Sequence, residues 1–176
     1  FRPNLTPAEV LELGSFGGTY FRSIDSAVVG RRITSTEALD STVPSDWVKG
    51  LNRNRMLTSS GYDKSVNQYK VKCGGSLGMW ESSGWISELD PYGWFQWYCR
   101  FYQGRRTSDD ARQISRAQQV MGPTGRFRTQ LMNKVIKAKT TFNDRGISPV
   151  IRQSLQHWGY RLTSDDLAAH RKKKGI

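Results

Sequence analysis

Three acids, two histidines and two glycine-rich loops are where chemistry could reside in this chain. Asp25, Glu81 and Asp90 lie beside aromatic or glycine-rich stretches. A carboxylate in such surroundings can act as a general acid or base if burial shifts its pKa. Each is equally of the kind that caps a helix or sits on a surface. Paired acids can lie far apart in sequence, so carboxylate chemistry stays open. His157 and His170 are the only histidines, and neither belongs to a Ser/His/Asp or Cys/His arrangement that local sequence could assemble. The stretches SFGGTY (15–20) and CGGSLG (73–78) are rich enough in glycine to cradle a phosphate, yet glycine pairs are common turn formers and neither is a P-loop or a full GxGxxG. Cys73 and Cys99 show no CxxC or Cys/His spacing. No zinc site or other cofactor is expected, which argues against a zinc deaminase. No catalytic residue can be assigned from local motifs.

Charge is more informative. Residues 1–90 hold ten Lys/Arg and ten Asp/Glu, whereas residues 91–176 hold seventeen Lys/Arg against five acids. The whole formal excess of +12 lies in the second half, and such asymmetry points to a polyanion-binding face more strongly than an evenly spread basicity. Within that half, Arg112 and Arg116 are one helical turn apart, with Ile114, Ala117 and Met121 on the core side. Arg126, Arg128, Lys134 and Lys137 surround Phe127, Leu131 and Val135, with Gln130 and Asn133 among them. Arg152, Gln153, Gln156 and His157 decorate the next helix, followed by Arg161 and the cationic run from His170 to Lys174. Arginine mixed with Gln, Asn and His is the composition of phosphate contacts with some base contact.

The segment DPYGWFQWYCRFYQGRR (90–106) raises a sharper question, because six aromatic side chains fall within nine positions. At 100° per residue the aromatics cover well over half the circumference of a helix, the signature of a core helix and not of an open stacking platform. The remaining stripe, Gln96, Arg100 and Gln103, is expected to be the part available to a partner, with Arg105 and Arg106 at the helix exit. A second place for a partner is an aromatic pocket shaped by Phe16, Gly17, Gly18, Tyr20 and Arg22, with Trp80 and Trp85.

The elements that must position these residues divide at about residue 90. TPAEVLELG reads as a short opening helix: Thr6 caps it, Pro7 is its first residue, Glu9 completes a capping box and Gly14 stops it. Thr19 to Ser23 is expected to be a strand, SAVVGRRIT a weaker one interrupted by Gly30, and QYKVKC (68–73) a third. Ser45 is expected to cap one helical turn anchored by Trp47. From residue 90 the pattern is helical. Asp90 is the expected cap of the aromatic helix, Thr107 or Ser108 of the next, Ser148 and Thr163 or Ser164 of the last two. The fold class is α+β: a small, neutral, β-containing N-terminal part (1–89) packed on a predominantly helical, basic C-terminal half (90–176), forming a single domain.

Several of these blocks, GSFGGTYFR, the GWFxWYxRF helix with its GRR exit, the GP-GR turn and HWGYRLT, are similar to a family of uncharacterised microbial proteins of fungi and algae. The resemblance spans most of the chain. It implies that the blocks belong to one domain and supplies no activity. Aromatic bulk (6 Trp, 7 Tyr, 7 Phe) offsets a mean hydropathy of −0.63 and makes disorder unexpected. No stretch approaches a membrane span and no signal peptide is evident, so an intracellular protein, nuclear or cytoplasmic, is expected without a membrane partner. A start at Phe1 is what an excised domain or a processed product would show. The leading expectation is a nucleic-acid-binding domain, DNA ahead of RNA, gripping phosphates with its basic helices. Behind it stand a base-flipping or nuclease-like DNA-repair enzyme using the aromatic pocket, and a basic module for acidic proteins or lipid surfaces.

Overall fold

A computed structural model describes residues 1–176. The fold is α+β and mostly helical: α1 (Pro7–Glu12), a hairpin of β1 (Ile24–Ser26) and β2 (Arg31–Ile33), α2 (Ser35–Thr42), α3 (Arg53–Met56), α4 (Leu77–Ser82), α5 (Trp94–Tyr102), α6 (Asp110–Met121), α7 (Arg126–Lys137), α8 (Pro149–His157) and α9 (Ser164–Lys174). The two strands pair antiparallel with Ile24 opposite Ile33 and Asp25 opposite Arg32.

Local chemistry explains some of the helix starts, whereas Asp109 and not Thr107 or Ser108 precedes α6, Pro44 and not Ser45 precedes the turn at Trp47, and Ser148 precedes α8 without a capping bond. Thr6 and Glu9 form the expected capping box of α1, with Pro7 at the first position. Thr163 caps α9 by accepting from the Asp166 N–H. The start of α5 departs from expectation. Gly93, not Asp90, is its N-cap, at φ +106°, a conformation that L side chains rarely adopt. Asp90 lies three residues outside the helix. The first strand begins at Ile24, and Thr19–Ser23 is irregular with a turn at Tyr20 and Phe21, because Gly17 and Gly18 at φ +62° and +85° curl the chain just before it. QYKVKC is not a strand. Lys70 adopts φ +57°, no strand edge lies beside the segment, and its Val71 carbonyl accepts instead from the Tyr62 hydroxyl at 3.0 Å and from Asn67 Nδ2 at 2.6 Å. The chain after it forms α4, capped by Ser76.

The aromatic helix α5 is the centre of the core, as its helical angles predict. Trp97 is fully buried, and the polar tip of each buried aromatic of α5 has a partner. Trp97 Nε1 donates to Asp110 (2.8 Å), Trp94 Nε1 to the Gln113 carbonyl (3.0 Å) and the Tyr98 hydroxyl to the Leu5 carbonyl (2.6 Å). Phe1 closes one side edge-on against Trp94 and Tyr98. On the other side Tyr20 donates to the Tyr92 carbonyl and accepts from the Gln96 N–H, both at 2.9 Å. The N-terminal segments are thereby clamped onto the helical half. No helix is long and apolar enough to cross a membrane.

Candidate functional site

The polar stripe of α5 is covered over most of its length: Gln96 is buried and Arg100 half-buried, and only Gln103 at its end is exposed. Its cover is α2, far upstream in the chain, whose C-terminal residues Ser41 and Thr42 meet it. Gln96 is 2% exposed, donates from Nε2 to Thr42 Oγ1 (3.0 Å) and accepts from the Tyr92 N–H (2.9 Å). Gln103 donates to the Thr42 and Cys99 carbonyls. Arg100 donates to the Leu89 carbonyl and to Ser41 Oγ. Asp90, with none of its surface exposed, then collects two arginines: Arg100 Nη1 at 3.0 Å, and Arg105 through both carboxylate oxygens at 2.8 and 2.6 Å. Gln96, Arg100 and Arg105 are therefore corrected from partner-binding residues to parts of an internal seam, and Asp90 from a helix cap or catalytic acid to the anion of that seam; Gln103 ties the end of α5 to Thr42 and stays exposed. Arg106 stays on the surface, stacked 3.8 Å over Phe101.

Other cations are spent in the same way. Arg152, 5% exposed, ties α8 to the loop before it through the Ile147 (2.8 Å) and Phe142 (2.9 Å) carbonyls. Arg128 points inward to Asp166 (3.2 Å) and over the Tyr160 ring. Arg112 forms a two-toothed pair with Asp109 at 2.6 and 3.0 Å. Arg161 is exposed, its Nη2 3.5 Å from Gln68 Oε1. The two remaining acids are also engaged: Asp25 pairs with Arg32 across the hairpin (3.0 Å), and Glu81 accepts from the Ala27 N–H (2.9 Å). Neither lies in a cavity with a second acid that could share catalytic work.

What the fold does build is a cleft of two lobes, with volumes of about 300 and 360 Å³, meeting at Phe16, Tyr20, Trp80 and His157. The first lobe is walled by Tyr62 and Tyr92 and carries Arg22 and Lys72. The second is walled by Trp85, Phe127 and Trp158 and carries Arg116 and Arg126. No carboxylate lines either lobe. Five of the seven expected pocket residues, Phe16, Tyr20, Arg22, Trp80 and Trp85, are lining residues. Gly17 and Gly18 are not, and their place is behind the wall. A Cβ on Gly18 would stand 2.0 Å from the Arg55 carbonyl oxygen, and one on Gly17 would strike the Tyr62 ring at 2.6 Å. Their close approach lets the 53–63 segment pack in, held by the Ser59 and Asp63 N–H groups donating to the Gly18 and Gly17 carbonyls, and so sets Tyr62 in position.

The cleft floor is chemically quiet. His157 stacks on Phe16 with ring centroids 4.5 Å apart, and its Nε2 lies 2.6 Å from the Ser15 carbonyl oxygen. Nε2 therefore carries a proton and donates it there, while burial pushes the imidazole pKa down to about 4 and keeps it neutral. Cys73 Sγ is 3.8 Å from that same Nε2. A nitrogen already donating elsewhere cannot take the thiol proton, and burial raises the Cys73 pKa further. The two form a Cys/His proximity that local sequence could not show, without the electrostatics of an activated nucleophile. No cluster of three His, Cys, Asp or Glu side chains suited to a metal ion exists in the fold.

Arg116 illustrates how the aromatic walls hold cations. It sits 5.6 Å from both the Trp85 and Trp158 ring centroids and donates to the Trp85 carbonyl and to Gln113 Oε1. Arg126, by contrast, is exposed over Phe127 and has no acid partner. Compared with known proteins, the chain matches no family model, no curated protein and no solved structure. The cleft's own geometry carries the functional reading.

Proposed function

We propose that the protein is a nucleic-acid-binding domain that seats an unpaired base in the aromatic cleft and holds the adjoining phosphates with cations at its mouth. The observation that carries this reading is a cleft walled by aromatic rings whose only charged side chains are Arg22, Lys72, Arg116 and Arg126. Aromatic faces accept any base by stacking, and phosphates require cations without competing acids. The reading changes the role first expected of the basic helices. Several of their arginines are internal struts, so the grip is assigned to the cleft mouth and not to the helical half at large. The repair-enzyme alternative gains no support from a neutral His157 and a thiol with a raised pKa.

Fluorescence anisotropy with labelled single-stranded DNA, duplex DNA and RNA tests this directly. Binding should be present near ~50 mM salt, strongest for strands with unpaired bases, and weaker by orders of magnitude at ~200 mM if six or more phosphates are engaged. The DNA and RNA arms separate the two sources of the same backbone chemistry. Absence of binding to all three at low salt would end the proposal.

A further inference from the structure

Helix α7 starts at the cleft and leads away from it. Arg126 lines the cleft, and the helix continues to Lys137. At 100° per residue, Arg126, Gln130, Asn133, Lys134 and Lys137 fall within about 100° of the helix circumference, while Leu131, Met132 and Val135 occupy the buried face. Arg126, Gln130, Lys134 and Lys137 are all exposed. No ion pair engages Arg126, Lys134 or Lys137, and α7 contains no acid. A second helix reinforces the far end. His170 Nε2 lies 2.8 Å from Asn133 Oδ1, which brings the cationic end of α9, Arg171 to Lys174, alongside the middle of α7. The protonated form of His170 is disfavoured first by partial burial and then by Lys174, Lys173 and Arg128, as befits a cation-dense face.

We infer that this stripe is a track for a single nucleic-acid strand, which leaves the cleft at Arg126 and runs along α7 toward the end of α9. The inference rests on the reading of the cleft as a base-binding site. Charge complementarity and continuity with the cleft identify the occupant. A stripe one side chain wide matches one sugar-phosphate backbone, whereas a base already taken into the cleft has left its duplex. Lysine and arginine would meet phosphates, and Gln130 the sugars or base edges between them. From Arg126 to Lys137 the stripe is about 16 Å long, room for about five nucleotides at a stacked rise of ~3.4 Å and fewer in an extended strand.

The test is a length series of single-stranded oligothymidylates from one to ten nucleotides, run as DNA and as RNA against the full chain and a Lys134→Ala/Lys137→Ala variant. Affinity of the wild type should climb up to about five nucleotides and then level off. The variant should match the wild type on mono- and dinucleotides, bind longer strands about tenfold more weakly, and show a log–log salt slope shallower by about 1.4. Thermal unfolding of the variant at an unchanged temperature makes the comparison independent of folding. If wild type and variant bind long strands equally, or if length beyond two nucleotides adds nothing, the track is wrong while the cleft reading stands. If no oligonucleotide of any length binds, the cleft reading itself falls.

Discussion

Arg100 and Arg105 near the end of α5, and Arg126, Lys134 and Lys137 along α7, are cations from the same basic half of the chain, and they reach opposite situations. The first pair is 19% and 27% exposed in its side chains and converges on one carboxylate with no exposed surface. The second set is exposed and meets no acid. A formal charge of +12 is shared by both regions, so net charge alone says nothing about which cations a partner can reach. The deciding factor is a neighbour distant in sequence: Asp90 and the Ser41–Thr42 end of α2 for one set, only solvent and like charge for the other. Arginine inside a seam is structure, and arginine at an acid-free cleft is a contact in waiting.

The largest effect that could break this contrast is at Asp90. Asp90→Ala should cost about 3 kcal/mol in urea unfolding, the lower end for breaking a buried pair because both arginines keep some access to water. A loss under 1 kcal/mol would make the seam decorative. His157 comes next, through pH. Its folded pKa of about 4 lies below the ordinary 6.5, so the unfolded chain binds the extra proton between those values. This contribution to stability is complete above pH 6.5 and is lost as pH falls toward 4, by at most about 3 kcal/mol. Denaturation from pH 7 to 4.5 should therefore be less pH-dependent in His157→Gln than in the wild type; parallel curves would contradict a neutral buried imidazole. Trp85, 42% exposed at the rim, should lose about 1–3 kcal/mol of single-strand affinity when changed to alanine. Its fold should change little, which circular dichroism checks. At the small end, Lys134→Ala and Lys137→Ala should each alter stability by under about 0.5 kcal/mol, the ordinary range for surface sites.

Much of the fold follows from short-range chemistry that the chain displays openly. The capping box at Thr6 and Glu9, Thr163 ahead of α9 and the apolar girth of α5 depend on neighbours within a few residues, and each appears as expected. Expectations that depended on distant partners fared worse. A helical wheel displays the Gln96–Arg100–Gln103 stripe but not the α2 end that covers it. QYKVKC alternates like a strand, but no strand lies beside it to pair with. The aromatic cleft was half legible. Phe16, Tyr20, Trp80 and Trp85 stand out as bulky residues beside glycines. Tyr62, Lys72, Cys73 and His157 reach the same space only because the close approach at Gly17 and Gly18 and the docking of α8 bring them there. Nothing local marks Arg126 as the residue joining cleft to α7 stripe.

The most direct test of the central claim is to photocross-link a single strand carrying one 5-bromouracil base and map the adduct by mass spectrometry. A base seated in the cleft should label its aromatic walls, Phe16, Tyr62, Trp80 or Trp85, and labelling should vanish at high salt. Adducts confined to surfaces away from the cleft, or none at all under conditions where the strand is bound, would contradict the account.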